Sequence, residues 1–162
     1  MKILFLDADG VLNRGSWYDE ETGHCSILRE LVWILNRVVN ETKCHIVLSS
    51  AWRDQIYNGT YNLAGFGAML RTHGLVPHCG ATSLVVGVTE QDGEMLRFMV
   101  GERGNQCRNW LNAHPDVTVY AAVDDIEQGF AAAGIPAVIT DPALGLTEAN
   151  ADALIAILNA ND

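Results

Sequence analysis

The chain has 162 residues, enough for one ordinary domain and too few for two comfortable ones. Apolar residues make up 49% and charged residues 19%, a globular composition and not a disordered one. The 20 acids against 10 Lys plus Arg give a formal charge of −10, which argues against a surface that grips a polynucleotide through many phosphates but leaves room for a small site holding one.

In chain order, Ile3 to Leu6 is a short apolar run bounded by Asp7-Ala-Asp-Gly10, the pattern of a central strand. Ser26 is placed to N-cap a helix in which Ile27, Leu28, Leu31, Val32, Leu35, Val38 and Val39 recur at helical spacing. Cys44 to Leu48, within "KCHIVLSSAWR", is a second strand ending at Ser49 and Ser50. Leu63 to Arg71 reads as a helix stopped at "HGLVP", where Gly74 and Pro77 supply the break. "SLVVGVT" (Ser83 to Thr89) is a third strand interrupted by Gly87, and Arg103 to Pro115 a helix with Cys107, Trp110 and Leu111 on one side. Val117 to Val123 is a fourth strand running into Asp124-Asp125, and "IPAVIT" (Ile135 to Thr140) a shorter fifth. Thr147 caps a last helix, with Leu154, Ile157 and Leu158 facing inward.

Strand and helix alternate almost throughout, with no repeat and no linker. The expectation is a single domain over residues 1–162: an α/β doubly wound sheet, mainly parallel, with helices on both faces. Such sheets bind ligands at the carboxyl ends of their strands, and here those ends carry Asp7/Asp9, Ser49/Ser50 and Asp124/Asp125. Neither a signal peptide nor a membrane span is expected, because the first apolar run stops at Asp7 and no stretch approaches the roughly 18 apolar residues a span needs. Four cysteines without secretory context suggest reduced thiols and a cytoplasmic location. Three of them adjoin histidines (His24-Cys25, Cys44-His45, His78-Cys79), but neighbours on a strand point to opposite faces and no C-x2-C spacing occurs, so structural zinc is not expected.

Four aspartates at one edge repel one another unless a cation intervenes. Mg2+ suits such a place, since it takes a few carboxylates and keeps waters and substrate phosphate oxygens as its other ligands. A metal-bound aspartate can attack phosphorus, while a second carboxyl protonates the leaving oxygen and later deprotonates water. Asp7 and Asp9 suit that division of labour. Ser49 or Ser50, with Ser49 preferred, supplies a hydroxyl to the phosphoryl oxygens, and Arg103 at the start of a helix supplies positive charge. Asp124 is the preferred further metal ligand, with Asp125 beside it; the alternative is that one of the two caps a helix starting at Ile126. Asn13 and Arg53 follow the first and second strands and are candidate substrate contacts, and Trp17 and Tyr18 could stack a base or sugar.

These residues carry a resemblance. "FLDADGVLN" resembles motif I of the haloacid dehalogenase-like (HAD) phosphohydrolases, "IVLSS" their motif II, "RGNQCRNWL" the place of motif III, and "YAAVDD" motif IV, in order from residue 3 to 125. With "LSSAWR" and "TDPALGLTEANADAL" the likeness narrows to the HAD domains of Swiss-army-knife RNA repair proteins and extends over nearly the whole chain. The resemblance implies a three-layer Rossmann-like core, an Asp7 nucleophile, an Asp9 acid/base, and Mg2+ held by Asp7, the Asp9 backbone carbonyl and an aspartate of the last motif. Motif III usually offers Lys where this chain offers Arg103; Lys43 and Arg71 are poorer matches. Members that break carbon–halogen bonds lack the second acid, so Asp9 favours phosphate-ester hydrolysis.

Residues 14–25 make only a short flap and residues 54–102 are mostly taken up by a helix and a strand, so the domain is expected to be essentially capless, open to a phosphate on a large partner. The expected activity is Mg2+-dependent phosphomonoester hydrolysis through an aspartyl-phosphate, with a nucleic-acid 3′-end or nucleotide first among substrates and no extended nucleic-acid groove. Alternatives are a phosphoprotein or small-metabolite phosphatase and, from another class, a phospho-acceptor switch or binding module. The switch ordinarily carries its acceptor aspartate on a middle strand, whereas here D-x-D closes the first.

Overall fold

The computed structural model describes residues 1–15, 18–19, 24–53, 62–78, 83–89 and 102–160. Its elements in chain order are β1 (Lys2–Leu6), β2 (Tyr18–Asp19), β3 (His24–Cys25), α1 (Arg29–Thr42), β4 (His45–Leu48), α2 (Leu63–Thr72), β5 (Val85–Val88), α3 (Arg103–Ala113), β6 (Val119–Asp124), β7 (Ala137–Ile139) and α4 (Glu148–Leu158). Five strands form one sheet in the order β5-β4-β1-β6-β7, and every neighbouring pair is parallel.

The pleat sorts each strand's side chains between two cores. Leu4, Leu6, Ile46, Leu48, Ala121 and Val123 face one side, where they meet residues of α1, α2 and α4 such as Leu35, Leu70 and Leu154. Ile3, Phe5, Val47 and Ala122 face the other, where α3 supplies Cys107, Trp110 and Leu111, and Phe130 and Ile135 fill the space beside it. Each fully buried Leu, Ile or Phe contributes about 1.5–3 kcal/mol. The expected three-layer α/β core with helices on both faces is the observed one.

Several local expectations change. Ser26 is exposed and does not cap α1, which starts at Arg29 with Leu28 as its N-cap and no side-chain cap bond. The helix entry is fixed from outside the helix: Leu28 donates its N–H to the Leu12 carbonyl at 2.8 Å, and Ile27 is buried. Thr147 does cap α4, in a reciprocal box with Asn150. Gly87 does not end β5. It lies against the Trp110 indole, which a Cβ would meet at 3.1 Å, and the β4–β5 register shifts beside it. No helix starts at Ile126; among the described residues a turn follows β6 there.

Residues 18–25 contain a two-stranded antiparallel pair, β2–β3. Trp17, Cys79 and the side chains of Tyr18, His24 and Cys25 lie outside the described residues, as do 54–61 and 90–101, on which the capless expectation depends. Among the described residues no helix is long and apolar enough to cross a membrane.

Candidate active site

From β1 the chain moves outward on one side to β4 and β5, then returns to lay β6 and β7 on the other. The carboxyl ends of β1 and β6 therefore flank the point where strand order reverses, the place where open α/β sheets form a crevice. The two ends are tied together, since Asp7 donates its N–H to the Val123 carbonyl at 3.0 Å. Continuing each strand's alternation past its last apolar residue carries Asp7, Ser49 and Asp124 onto the α3 side of the sheet, after Phe5, Val47 and Ala122.

Arg103, the first residue of α3, meets Asp7 and Asp124 there. Its guanidinium lies 3.1 Å from Asp7 Oδ1 and donates to Asp124 Oδ2 at 2.6 Å. Burial pulls this guanidinium down, but Asp7 and Asp124 together outweigh burial and hold it above its ordinary value. The helix start comes this close because residue 104 is glycine: a Cβ there would run into the Gly129 carbonyl, and the Gly104 N–H bonds the Gln128 carbonyl at 2.9 Å. Lys43 ends α1 in a left-handed cap and Arg71 is exposed in the last turn of α2, so Arg103 is the cation of this cluster among the three considered.

Burial raises the Asp7 carboxyl from its ordinary 3.8 to about 7; Arg103 draws it down, Asp124 pushes it up again, and the Ser50 hydroxyl and Ala8 N–H favour the ionised form. Asp124 is fully buried, and its second oxygen accepts from the Ile126 N–H at 3.0 Å, so it caps the turn while facing the cluster. Asp125 is half-buried; desolvation first and Asp124 second raise its carboxyl. It presses on Gly10, whose φ of +68° suits glycine and whose Cβ would meet the Asp125 carboxyl at 2.6 Å. One oxygen each from Asp7, Asp124 and Asp125 lies within 4.8 Å of the others. This all-oxygen set, with two of its carboxyls raised by burial and crowding, fits a hard divalent cation. The Asp9 side chain is not part of it.

Asp9 has separate partners. Asn13 Nδ2 donates to its Oδ1 at 2.8 Å, and the Trp52 indole N–H donates to its Oδ2 at 2.9 Å. Asn13 is itself held by the Gly10 N–H at 2.9 Å on its amide oxygen. Thr140, at the end of β7, donates to the Gly10 carbonyl at 2.8 Å and anchors the same turn.

Ser49 and Ser50 part company. The Ser49 hydroxyl lies 3.5 Å from Cys107 Sγ behind the site, whereas the Ser50 hydroxyl faces Asp7. Of the two, the Ser50 hydroxyl is the one placed beside Asp7: Ser50 has left the strand, and its side chain is free of the pleat that turns Ser49 toward α3. Asn13 and Arg53, expected at the substrate, are both buried in the chain's own network. Asn13 holds Asp9, and Arg53 donates to Thr89 Oγ1 and Gln106 Oε1, each at 2.7 Å. Burial pushes the Cys107 thiol up to about 12, so it is a packed, unreactive group. Trp52 is the residue that sequence reading missed. The available signal was chemical, since a buried indole must place its N–H.

No curated protein and no solved structure matches the chain. The family model described as the HAD domain in Swiss Army Knife RNA repair proteins matches residues 3–151, which takes in every residue of the cluster. That match spans the parallel five-stranded sheet and the acids at its strand ends, and the chain belongs to the HAD domain family of Swiss Army Knife RNA repair proteins, whose chemistry in general is that of HAD-type phosphohydrolases.

Proposed function

We propose that this domain is a Mg2+-dependent phosphomonoester hydrolase working through an aspartyl-phosphate on Asp7, with a phosphate at a nucleic-acid 3′-end or on a nucleotide as its substrate. The observation that carries the reading is the division of two aspartates one residue apart: Asp7 lies among Arg103, Asp124 and Ser50, and Asp9 lies apart on neutral donors. Bound by Asp7, Asp124 and Asp125 together with the Asp9 backbone carbonyl, Mg2+ would neutralise the acids and polarise the phosphoryl oxygens.

In the first step an Asp7 carboxylate oxygen attacks phosphorus. The bond from phosphorus to the ester oxygen breaks, its electron pair leaves with that oxygen, and Asp9 gives the oxygen a proton. In the second, a water oxygen attacks phosphorus and passes a proton to Asp9. The Asp7–phosphorus bond breaks and inorganic phosphate departs. Arg103 and Ser50 offset and orient charge on the transferring group in both steps. The family match supports a nucleic-acid end as substrate, and the charge of −10 limits contact to a terminal nucleotide. The reading takes residues 1–162 as one domain.

A panel of phosphorylated compounds that includes 3′- and 5′-phosphorylated oligonucleotides, assayed for phosphate release with Mg2+ and with chelator, tests the reading. Expected are metal-dependent release, preference for 3′-phosphorylated ends, and no turnover by Asp7→Asn. Undiminished turnover by that variant would remove Asp7 as nucleophile, and a phosphoenzyme that persists for minutes would favour the switch instead.

A further inference from the structure

Asp9 follows Asp7 by two positions, yet among the described residues none of the hydrogen bonds and ion pairs that hold one holds the other. Among the described residues, both hydrogen bonds to the Asp9 carboxylate come from neutral N–H groups, one per oxygen: Asn13 Nδ2 at 2.8 Å and Trp52 Nε1 at 2.9 Å. We propose that Trp52 is a positioning residue, whose indole N–H holds the Asp9 carboxyl clear of Arg103 so that Asp9 can pass a proton in each half-reaction. This inference rests on the phosphomonoesterase reading and adds to it a residue outside the metal and phosphate cluster.

Three features support it. Each carboxyl oxygen has two acceptor sites, so one is left on Oδ2 for the travelling proton while the indole occupies the other. An N–H donor on each oxygen fixes the direction of the carboxyl, and neither donor carries a charge. Next, the donor is rigid. Trp52 is 9% exposed and stands nearly edge-on to buried Phe66 of α2, ring centres 6.4 Å apart and planes at 75°. An indole packed in this way has little rotamer freedom, and α2, which adds no residue to the acid cluster, thereby sets where Asp9 points. Finally, Trp52 is coupled to the phosphate side of the site, since its backbone N–H bonds the Ser50 hydroxyl at 3.3 Å. One turn thus sends Ser50 to Asp7 and Trp52 to Asp9.

The contrary view is that Trp52 is a core residue that has found the nearest acceptor for its N–H. Trp52→Phe separates the two, because it keeps a ring beside Phe66 and deletes only the donor. With p-nitrophenyl phosphate the leaving oxygen needs no proton, so the initial burst of p-nitrophenolate reports attack by Asp7, whereas steady turnover needs Asp9 as base. Expected for Trp52→Phe are a burst rate within about threefold of the parent and steady turnover slower by about tenfold to a hundredfold, the scale of a misplaced catalytic group. On an Asp9→Ala background the same change should cost nothing further. A readout independent of turnover is the indole proton resonance of Trp52, assigned by its loss in Trp52→Phe or Trp52→Tyr; Asp9→Ala should move it upfield. Equal losses of burst and steady turnover, additive losses on Asp9→Ala, or an unmoved indole proton would overturn the inference while leaving the phosphatase reading standing. Failure of the parent protein to hydrolyse any phosphomonoester fails the phosphatase reading itself, and the proton-passing role falls with it.

Discussion

At Asp7 the state of one carboxyl depends on what else occupies the crevice. Burial raises it from 3.8 to about 7, more than Arg103 can offset. Between those two pH values the folded chain keeps a proton that the unfolded chain has released. The stability contributed by this group in the metal-free protein is thus present below about pH 4 and lost as pH rises to about 7. Asp7→Asn removes the effect, so in chelator its thermal midpoint should gain on the parent's steadily across that range. Adding Mg2+ at pH 8 should narrow the gap, because the ion stabilises only the parent's carboxylate. Midpoints that move in parallel at every pH would contradict the assignment. The two serines give a second test at this scale. Ser50→Ala should slow turnover by about tenfold or more, on the scale of a lost hydrogen bond to a charged group. Ser49→Ala should cost less, since its hydroxyl serves Cys107. Equal losses in kcat would contradict the facing observed here.

At the scale of elements, the site depends on how closely α3 approaches the 128–130 segment. Gly104 allows that approach, and the same contact delivers Arg103 to Asp7 and Asp124. Gly104→Ala should destabilise the fold by about 1–3 kcal/mol, the usual cost of overpacking, read as a lower urea midpoint. It should also reduce turnover in protein that is still folded, because the helix start must back away and take Arg103 with it. Retained activity would mean that the segment gives way instead of the helix. Most elements were legible from periodicity, which is a local property: Leu31, Val32, Leu35, Val38 and Val39 are the buried stripe of α1, as their spacing indicates. The misplaced cap at Ser26 arose because a helix entry can be fixed by a distant backbone group, here the Leu12 carbonyl, that leaves no mark beside it in the chain.

For the whole molecule, 20 acids against 10 basic residues set the field a substrate meets. A dianionic phosphate approaches against net repulsion, so kcat/KM on a phosphorylated nucleotide should rise modestly as ionic strength goes from about 20 to 200 mM, through screening. A protein that grips polynucleotide through many phosphates would show a steep fall over the same range. The salt dependence therefore distinguishes contact with one terminal phosphate from a binding groove.

The acids and hydroxyls stand at the ends of apolar runs and the cation at a helix start, and both their chemistry and those places can be read along the chain, because periodicity and residue type are local. Which of them meet depends on the sheet order β5-β4-β1-β6-β7, which no single segment contains. That order brings Asp7 beside Asp124, and the turn after β4 places the Ser50 hydroxyl, not that of Ser49, beside Asp7. The Asn13–Asp9 bond is local to the turn after β1, whereas Arg53 reaches Thr89 and Gln106 only through the packing of separate segments. Buried polar groups must find partners inside the fold, and only the packed tertiary structure determines which partners are within reach.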